Sequence, residues 1–382
     1  ENEIKIFKPE PFWQIELNTT NKINAWHVED KFWDKDKATK IFQNTKNHPA
    51  IVSKISKNEF SQPPPNPFDL TSLQLEAYKT LKISPKNTLQ LAQNLYSAGC
   101  ISYPRTSSNQ LPPSLNYKKI ISSLKKQKAY SKICEDLLKQ TNLMPNNGKK
   151  TDPAHPAIYP SGETPKTSSQ KQKQLYDLIV RRTLSSFSTP AFRETITLEI
   201  DVNKELFKAK GTITKIPGWH SIYAHFVKLK EEELPKVEEG QKLNVKSIDL
   251  HEKETQPPKR FTPASIIKEL ETKNLGTKST RASVVDSLFQ RNYLTGESSI
   301  EVTDLGLKTI DTLKKYCPEI LDEELTRHFE QEMEQIRYKK KKGTEVIQEA
   351  EIVLKKLLKH FKQNELQIGT ALLKANRETQ DN

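Results

Sequence analysis

The chain has 382 residues, with 61 lysines and arginines against 48 aspartates and glutamates, which gives a formal net charge of +13. This basic excess favours a polyanionic partner, because cationic side chains bind phosphates and release counterions. No run approaches the roughly 18 apolar residues that a membrane-spanning helix needs, and no signal peptide is recognised, so a membrane or secreted protein is not expected.

The cysteines indicate the compartment in which the chain is expected, and the first residue indicates whether the sequence is a fragment. The three cysteines, Cys100, Cys134 and Cys317, are odd in number and far apart, so neither a disulfide framework nor a zinc ribbon is predicted. A reducing, cytoplasmic compartment is therefore expected. Because the sequence opens at Glu1 without a methionine, we expect a fragment, a processed product or a split-gene product.

The first 57 residues have the pattern of half-buried strands. Residues 4–7 and 12–17 alternate apolar and polar side chains, which predicts two strands. A proline-rich stretch at 61–67 follows. Three consecutive prolines join neither a helix nor a central strand, so this stretch predicts a stiff linker, with a ligand for a proline-binding module as the alternative.

A pair of helices is predicted next. Residues 71–74 have a capping-box pattern, and Ser84-Pro85 offers a second cap with proline at the first helical position. Apolar residues then recur on one face up to Tyr96, and Gly99 supplies a stop. Helix, turn, helix and then a short extended run at 100–103 is a helix-turn-helix-like pattern.

Tyr103 ends that extended run in a setting that suits attack on phosphate. Pro104 holds the tyrosine away from the helical region. Arg105 offers a planar fork of donors that matches phosphate oxygens and stabilises charge in phosphoryl transfer. The residues alone leave a second interpretation open, in which Tyr103 packs in a core and Arg105 is solvated.

The sequence around Tyr103 resembles the nucleophile motif of type IA DNA topoisomerases. The resemblance covers residues 96–108, and the Ser-Tyr-Pro-Arg-Thr-Ser-Ser form at 102–108 is closest to the archaeal branch. It implies that Tyr103 is the nucleophile, that Arg105 assists it, and that Thr106 and Ser107 lie at the DNA.

A second match spans residues 151–163. Many family members have Glu and Arg where this chain has Pro156 and Tyr159, and the version found here is typical of the archaeal branch. The resemblance implies that His155 lies near the scissile phosphate. Without the resemblance, the residues favour His155, which precedes a proline, as a hydrogen-bonding loop residue. A helix is predicted from about Gln174, with Arg181 and Arg182 facing DNA or solvent.

The third match spans residues 255–282, after strand patterns return between about 192 and 251. It predicts a helix, a glycine stop and a second helix from about Ser279 to Gln290. Free amides and hydroxyls at that helix start favour a phosphate site, with Lys278, Ser279, Thr280 and Arg281 as candidates. The alternative is an ordinary cap with solvated charges, and other members often carry Pro and Tyr where this chain has Lys278 and Arg281.

The C-terminal third is predicted to be helical. A hairpin from Asn292 and a helix capped at Thr303 come first. The basic run 337–342 is read as a nucleic-acid contact or, alternatively, as a solvated helix end. A long amphipathic helix after Gly343 precedes a frayed tail at 376–382.

The resemblance implies a multi-domain α+β fold forming part of the type IA toroid. Its segments are 1–65, the first half of a β-rich gate; 66–190, a helical, winged-helix-like domain with Tyr103; 191–256, the second gate half; and 257–382, a helical DNA-binding domain. The family's acidic Toprim domain has no counterpart here, and Asp34-Lys35-Asp36 is given no metal role because no apolar strand precedes it. No metal is therefore assigned to this chain, although the full enzyme would require Mg²⁺ through Toprim.

The function implied is the gate and nucleophile portion of a DNA topoisomerase, an isomerase. Tyr103 would cleave single-stranded DNA through a 5′-phosphotyrosine intermediate and permit strand passage without ATP. The expected partners are single-stranded DNA and a separate Toprim-containing chain or segment, in a nucleoid-associated location. The alternative is a non-catalytic helix-turn-helix DNA-binding protein. A tyrosine recombinase fits less well, because that family places its tyrosine near the C-terminus.

Overall fold

A computed structural model describes residues 1–166 and 169–380, with the side chains of 379 and 380 left out of the description. Its elements fall into four consecutive groups. The first group consists of α1 (Asn2–Ile6), β1 (Pro11–Thr19), β2 (Asn24–His27), α2 (Lys35–Thr45) and β3 (Ala50–Gln62). The second consists of α3 (Leu70–Leu81), α4 (Pro85–Ser97), α5 (Tyr117–Lys125), α6 (Ser131–Leu138) and α7 (Gln170–Ser186).

The third group returns to strands and the fourth is mainly helical. The third consists of β4 (Ala191–Val202), β5 (Glu205–Ile216), α8 (His220–Tyr223), β6 (Lys242–Leu243) and β7 (Val245–Glu254). The fourth consists of α9 (Pro263–Thr272), α10 (Arg281–Gln290), β8 (Leu294–Thr295), β9 (Glu301–Val302), α11 (Asp304–Tyr316), a 3₁₀ turn (Pro318–Leu321), α12 (Glu323–Arg337), α13 (Gly343–Gln363) and α14 (Glu365–Gln380).

Strands from the first and third groups form one antiparallel sheet, which we name the sheet lobe. Its seven strands lie in the order β6-β3-β4-β5-β2-β1-β7. Strand β1 alternates buried and less buried side chains, as expected for a strand with one face on a core. Ile15 and Leu17 of β1 pack in that core with Ile200 and Phe207. The predicted alternation thus corresponds to a half-buried sheet shared by two distant parts of the chain.

The second group, α3–α7 with its loops, forms a helical lobe inserted between β3 and β4. Gln62 at the end of β3 pairs with Ala191 at the start of β4, so the lobe leaves and rejoins the sheet at neighbouring positions. Its core also recruits Trp219 and Tyr223, which follow β5. The packing of this core therefore extends past residue 190, where the resemblance put the end of the helical segment.

The fourth group, α9–α14 with β8 and β9, is named the C-terminal lobe. It contacts the helical lobe through Lys86 and Asp286, 2.5 Å apart, and through Tyr78, whose hydroxyl donates to the Glu297 carbonyl at 3.2 Å. Among the helices described, none combines the length and the apolar character needed to cross a bilayer.

Two predictions near helix starts were wrong. Residues 4–7 belong to or follow helix α1 rather than a strand: Lys5 N–H donates to the Glu1 carbonyl at 2.9 Å, and four alternating residues are too few to distinguish the two structures. The cap of helix α3 lies two residues before the predicted cap, Thr71. Asp69 is its cap and accepts from the Ser72 N–H at 2.7 Å, because a carboxylate competes well for this position.

Two further expectations are corrected by the contacts. Arg181 and Arg182 of α7 meet protein groups rather than bulk solvent: Arg181 donates to Asp177 at 3.0 Å, and Arg182 donates to the Asn66 carbonyl at 2.7 Å. The tail predicted to fray from Asn376 continues as helix α14 to Gln380, and residues 381–382 lie outside the described part.

Candidate nucleophile site and nucleic-acid interface

The Tyr103 segment begins at the C-terminus of α4, which ends in a Schellman motif. Gly99 has φ +72°, and its N–H donates to the Tyr96 carbonyl at 2.8 Å, while the Cys100 N–H donates to the Leu95 carbonyl at 2.9 Å. Both bonds satisfy carbonyls that a helix end leaves open. The predicted glycine stop is thus confirmed, and it turns the chain sharply toward Tyr103.

The segment after Gly99 is held against residues 155–160 by backbone and hydroxyl bonds. Ser102 N–H donates to the Tyr159 carbonyl at 2.9 Å, and the Ser102 hydroxyl accepts from the Tyr159 N–H at 3.0 Å. The buried Thr106 hydroxyl donates to the His155 carbonyl at 3.1 Å. Two of the three sequence matches therefore form one interlocked structure, in which the Thr106 hydroxyl is already occupied by protein.

Three rings meet around the candidate nucleophile. The Tyr103 ring lies 4.5 Å from the His155 ring and 5.2 Å from the Tyr96 ring, measured between centroids. Aromatic pairs in tilted and edge-on arrangements at these separations are attractive. Packing between His155 and Tyr96 therefore restricts the rotation of the Tyr103 ring, which remains partly exposed.

Tyr103 lines a cleft of about 710 Å³ between the helical and C-terminal lobes. Arg105 and His155 line the same cleft from one side, and Lys278 and Arg337 line it from the other. Within the described residues, neither the Arg105 guanidinium nor the His155 imidazole has a hydrogen-bond partner. A phenol, an unengaged guanidinium and an imidazole thus share one open surface, a set that suits binding and attack at a phosphodiester.

Asp152 connects the two sides of this cleft. Its side chain is fully shielded from solvent and forms an ion pair with Lys278, with an Arg337 nitrogen at 3.6 Å. It also accepts from the Ser107 N–H at 3.2 Å. Burial acts to raise the carboxyl pKa, but the hydrogen bonds and the Lys278 charge outweigh burial and hold the Asp152 pKa well below its usual range.

The predicted phosphate site at the start of α10 is partly occupied by the protein itself. The Lys278 ammonium contacts Asp152, and Arg281 donates to the Leu275 carbonyl at 3.0 Å and to the Gly276 carbonyl at 2.8 Å. The Thr280 hydroxyl accepts from the Thr277 N–H at 2.9 Å. Ser279 lines the cleft beside Lys278, with its hydroxyl unengaged among the described residues.

No group of residues in the described part of the chain suits Mg²⁺. Magnesium prefers oxygen ligands in octahedral geometry. The Asp34 carboxylate caps α2 instead, accepting from the Asp36 N–H at 2.8 Å. In the described ranges, the one group of three potential ligand atoms is a mixed set, Cys317, Glu319 and His360, whose sulfur and nitrogen do not suit Mg²⁺.

Sequence reasoning missed three residues that shape this site. Tyr96 was assigned to the apolar face of α4, yet it is exposed and packs on Tyr103. Asp152 received no role, and Arg337 was considered only as part of the basic run 337–342, because nothing in their local sequence indicates that the two side chains meet. The available signal was the position of Asp152 three residues before His155, inside a matched motif.

Comparisons with known proteins identify the family of the chain. The family profile described as DNA topoisomerase matches residues 1–348. The chain is 46% identical over 376 residues to DNA topoisomerase 1 of Methanocaldococcus jannaschii, covering 98% of this chain and 49% of that protein. It is 43% identical over 379 residues to DNA topoisomerase 1 of Pyrococcus horikoshii, covering 98% of this chain and 55% of the relative.

A solved structure has the same fold. Full-length topoisomerase I from Thermotoga maritima superimposes with a TM-score of 0.73 at 25% identity, over 95% of this chain and 60% of that one. The chain thus spans about half the length of the relatives it matches. The chain has a β-rich sheet lobe, an inserted helical lobe with Tyr103 and a C-terminal helical lobe. With the profile match and the shared fold, it is a member of the type IA DNA topoisomerase family.

Proposed function

We propose that this chain is the gate and nucleophile portion of a type IA topoisomerase and that Tyr103 forms a transient ester with single-stranded DNA. The observation that carries the proposal is the cleft in which Tyr103 lies beside Arg105 and His155, both without protein partners for their charged or polar ends among the described residues.

The reaction exchanges one phosphodiester for another. The Tyr103 phenolic oxygen attacks phosphorus, the bond from phosphorus to the 3′ oxygen breaks, and the phenolic proton is lost as the 3′ oxygen gains one. The products are a 5′-phosphotyrosine and a free 3′ hydroxyl, and reversal religates the strand. Because the two esters are similar in energy, ATP is not needed for this step.

Each candidate residue has a role that its position supports. A phenol in water is protonated at neutral pH, so attack needs proton removal and charge stabilisation. Arg105 supplies a fixed positive charge for the phosphate oxygens. His155 packs on the Tyr103 ring and offers an unengaged imidazole for the phosphate or the proton. Lys278, Ser279, Thr280 and Arg281 with Ser107 are proposed to contact the flanking backbone, whereas the buried Thr106, whose hydroxyl donates to the His155 carbonyl, is proposed to position that loop.

We further propose that the division of labour follows four segments. Residues 1–65 and 191–256 form the gate, 66–190 carry the nucleophile, and 257–382 bind DNA. Mg²⁺ is proposed to act through a Toprim domain supplied by a separate chain or segment, in a nucleoid-associated cytoplasmic complex. On this basis the 382-residue chain binds single-stranded DNA but does not relax supercoils by itself.

The test is covalent trapping of DNA. The chain is mixed with a Toprim-containing segment of the family, Mg²⁺ and a 3′-labelled single-stranded oligonucleotide, and the reaction is stopped with detergent. We expect label to become attached to the protein, and Tyr103→Phe to abolish the attachment while retaining oligonucleotide binding. The matched control is Tyr338→Phe, which removes an exposed phenol that does not line the cleft.

Two results would count against the proposal. A folded, DNA-binding mixture that neither traps DNA nor relaxes supercoils would contradict the split-enzyme arrangement. A sequence-specific footprint on duplex DNA, unaffected by Tyr103→Phe, would favour the non-catalytic helix-turn-helix alternative, for which the comparisons give no support.

A further inference from the structure

The Asp152 carboxylate receives hydrogen bonds and charges from four separate segments. One oxygen, Oδ2, accepts from the Ser107 N–H at 3.2 Å and from the Ser107 hydroxyl at 3.1 Å, and it also meets the Lys278 ammonium. The other oxygen, Oδ1, accepts from the Ala154 N–H at 3.0 Å and lies 3.6 Å from Arg337.

These contacts join the reactive loops to the opposite lobe. Ser107 follows Tyr103 by four positions, and the turn that Oδ1 caps includes His155, whose N–H lies at 3.3 Å. Lys278 precedes α10 and Arg337 ends α12, so both cations belong to the C-terminal lobe. A single carboxylate thus holds the Tyr103 loop, the His155 turn and the other wall of the cleft.

Because the Asp152 carboxylate is buried, its bonds to the two loops and its ion pairs with the C-terminal lobe depend on each other. The Asp152 side chain has no exposed area, whereas the Lys278 side chain keeps 26% and the Arg337 side chain 39% of theirs. A buried carboxylate that loses its cations is strongly unfavourable. If the C-terminal lobe moves away, Asp152 must therefore gain water or other donors, and its hold on Ser107 and His155 changes with it.

We propose that Asp152 is a positioning residue that couples closure of the C-terminal lobe over the cleft to alignment of the Tyr103 and His155 loops. The idea rests on the proposed function, because alignment matters only if Tyr103 is the nucleophile. When the lobes are closed, Lys278 and Arg337 neutralise the carboxylate and the ring cluster is fixed. When they part, the carboxylate is solvated and the ring cluster loosens.

A second ion pair between the same lobes supplies a matched control. Lys86 and Asp286 lie 2.5 Å apart, with side-chain exposures of 52% and 30%. They join α4 to α10, but neither residue lines the cleft that contains Tyr103. Asp286→Asn therefore removes a partly exposed ion pair, which contributes little to holding the lobes together, and leaves the contacts of Asp152 with Lys278 and Arg337 in place.

The experiment follows lobe separation and loop alignment in the same 382-residue chain. Nitroxide labels at Lys119→Cys and Lys356→Cys, on exposed faces of α5 and α13, report the distance between lobes by pulsed electron resonance. The three native cysteines are buried and stay unlabelled. Imidazole NMR signals report the loops, with the His155 signal identified by its loss in His155→Asn.

We expect Asp152→Asn to shift the His155 signal and to lengthen and broaden the distance distribution. Lys278→Gln should produce changes in the same directions. The double variant should show no change beyond Asp152→Asn alone, because both substitutions break one coupled unit. Asp286→Asn should leave the His155 signal at its wild-type position.

Three outcomes would overturn the inference. These are an unshifted His155 signal in Asp152→Asn, additive effects in the double variant, and an equal His155 shift in Asp286→Asn, which would indicate general loosening. If circular dichroism shows Asp152→Asn to be unfolded, Lys278→Gln decides alone, because it keeps the carboxylate and its bonds from the loops. None of these readouts requires DNA cleavage, so failure of the proposed catalytic function is detected separately.

Discussion

Asp152 illustrates how the chemistry of one residue depends on contacts far along the chain. Its carboxylate is shielded from solvent, yet Lys278 and the N–H groups of Ser107 and Ala154 favour the ionised form. The folded-state pKa therefore lies below the unfolded value, near 3.8. A group with a lowered pKa stabilises the fold above its unfolded pKa, and this contribution is lost as pH falls through the lower range.

The first prediction concerns acid stability. Thermal denaturation of the wild-type chain should show a midpoint that falls as the pH is lowered below about 4, and Asp152→Asn should flatten that fall because it removes one titrating group. Lys278→Gln should flatten it partially, since the carboxyl pKa then moves back toward its ordinary value. An identical slope in wild type and Asp152→Asn would show that Asp152 makes no such contribution.

At the scale of single residues, the sequence predicted those site residues that lie together within one motif. Tyr103, Arg105 and the two residues after them sit within one motif, and His155 sits in another, so a resemblance located them. The partnership of Asp152 with Lys278 spans 126 positions and follows from the packing of two lobes. The local sequence pattern around either residue contains no information about this contact.

The Schellman motif at the end of α4 is the element that aims the Tyr103 segment. Gly99 has φ +72°, and a Cβ atom built there meets nothing within 4 Å. The position therefore has space for a side chain but a backbone conformation that L-residues disfavour. Its requirement for glycine is conformational.

The second prediction tests that requirement. Gly99→Ala should lower the free energy of unfolding by about 1 kcal/mol, measured by urea denaturation. The reason is that the Cβ atom of alanine makes the left-handed conformation unfavourable. Gly343→Ala is the matched control: that glycine begins α13, also meets nothing within 4 Å, and has no positive φ. A loss in Gly343→Ala equal to that in Gly99→Ala would point to a general effect of substitution.

Element prediction succeeded where patterns were long and failed where they were short. The alternation over 12–17 and the cap at Ser84-Pro85 predicted β1 and α4, whose N-cap Ser84 accepts from Asn87 N–H. Four alternating residues at 4–7 predicted a strand where a helix forms. Local hydrogen bonds and solvent exposure, with Ile6 75% exposed, decide such short segments.

At the scale of the whole molecule, a cleft lined by both basic and acidic side chains lies between two lobes, and both lobes are joined to one sheet. Strand β1 pairs with β7, so the first and third groups of elements are inseparable. The strand order was not predictable, because β1 pairs with a strand more than 200 residues away and this pairing depends on packing. The net charge of +13 indicated a polyanion partner without indicating which surface binds it.

The third prediction concerns that surface. The affinity of the chain for a single-stranded oligonucleotide should fall as salt rises, and Arg105→Gln should reduce the slope of log affinity against log salt by about 0.7, the value for one phosphate contact on a single strand. Fluorescence anisotropy across a salt series measures both slopes. Lys118→Gln, an exposed residue of α5 outside the cleft, should leave the slope unchanged.

Equal slopes for the wild type and Arg105→Gln would remove Arg105 from the DNA interface. A matching change in Lys118→Gln would instead show that binding follows net charge alone. Either result would separate the cleft between the lobes from the site at which DNA binds.

The most direct test of the account is to find which atom carries the DNA. The covalent product trapped with the Toprim-containing segment is digested with trypsin and nuclease, and the nucleotide-bearing peptide is sequenced by mass spectrometry. We predict a single modified residue, Tyr103, bearing a 5′-nucleotide phosphate on its phenolic oxygen. A nucleotide on Tyr96 or on any other residue, with Tyr103 unmodified, would contradict the account.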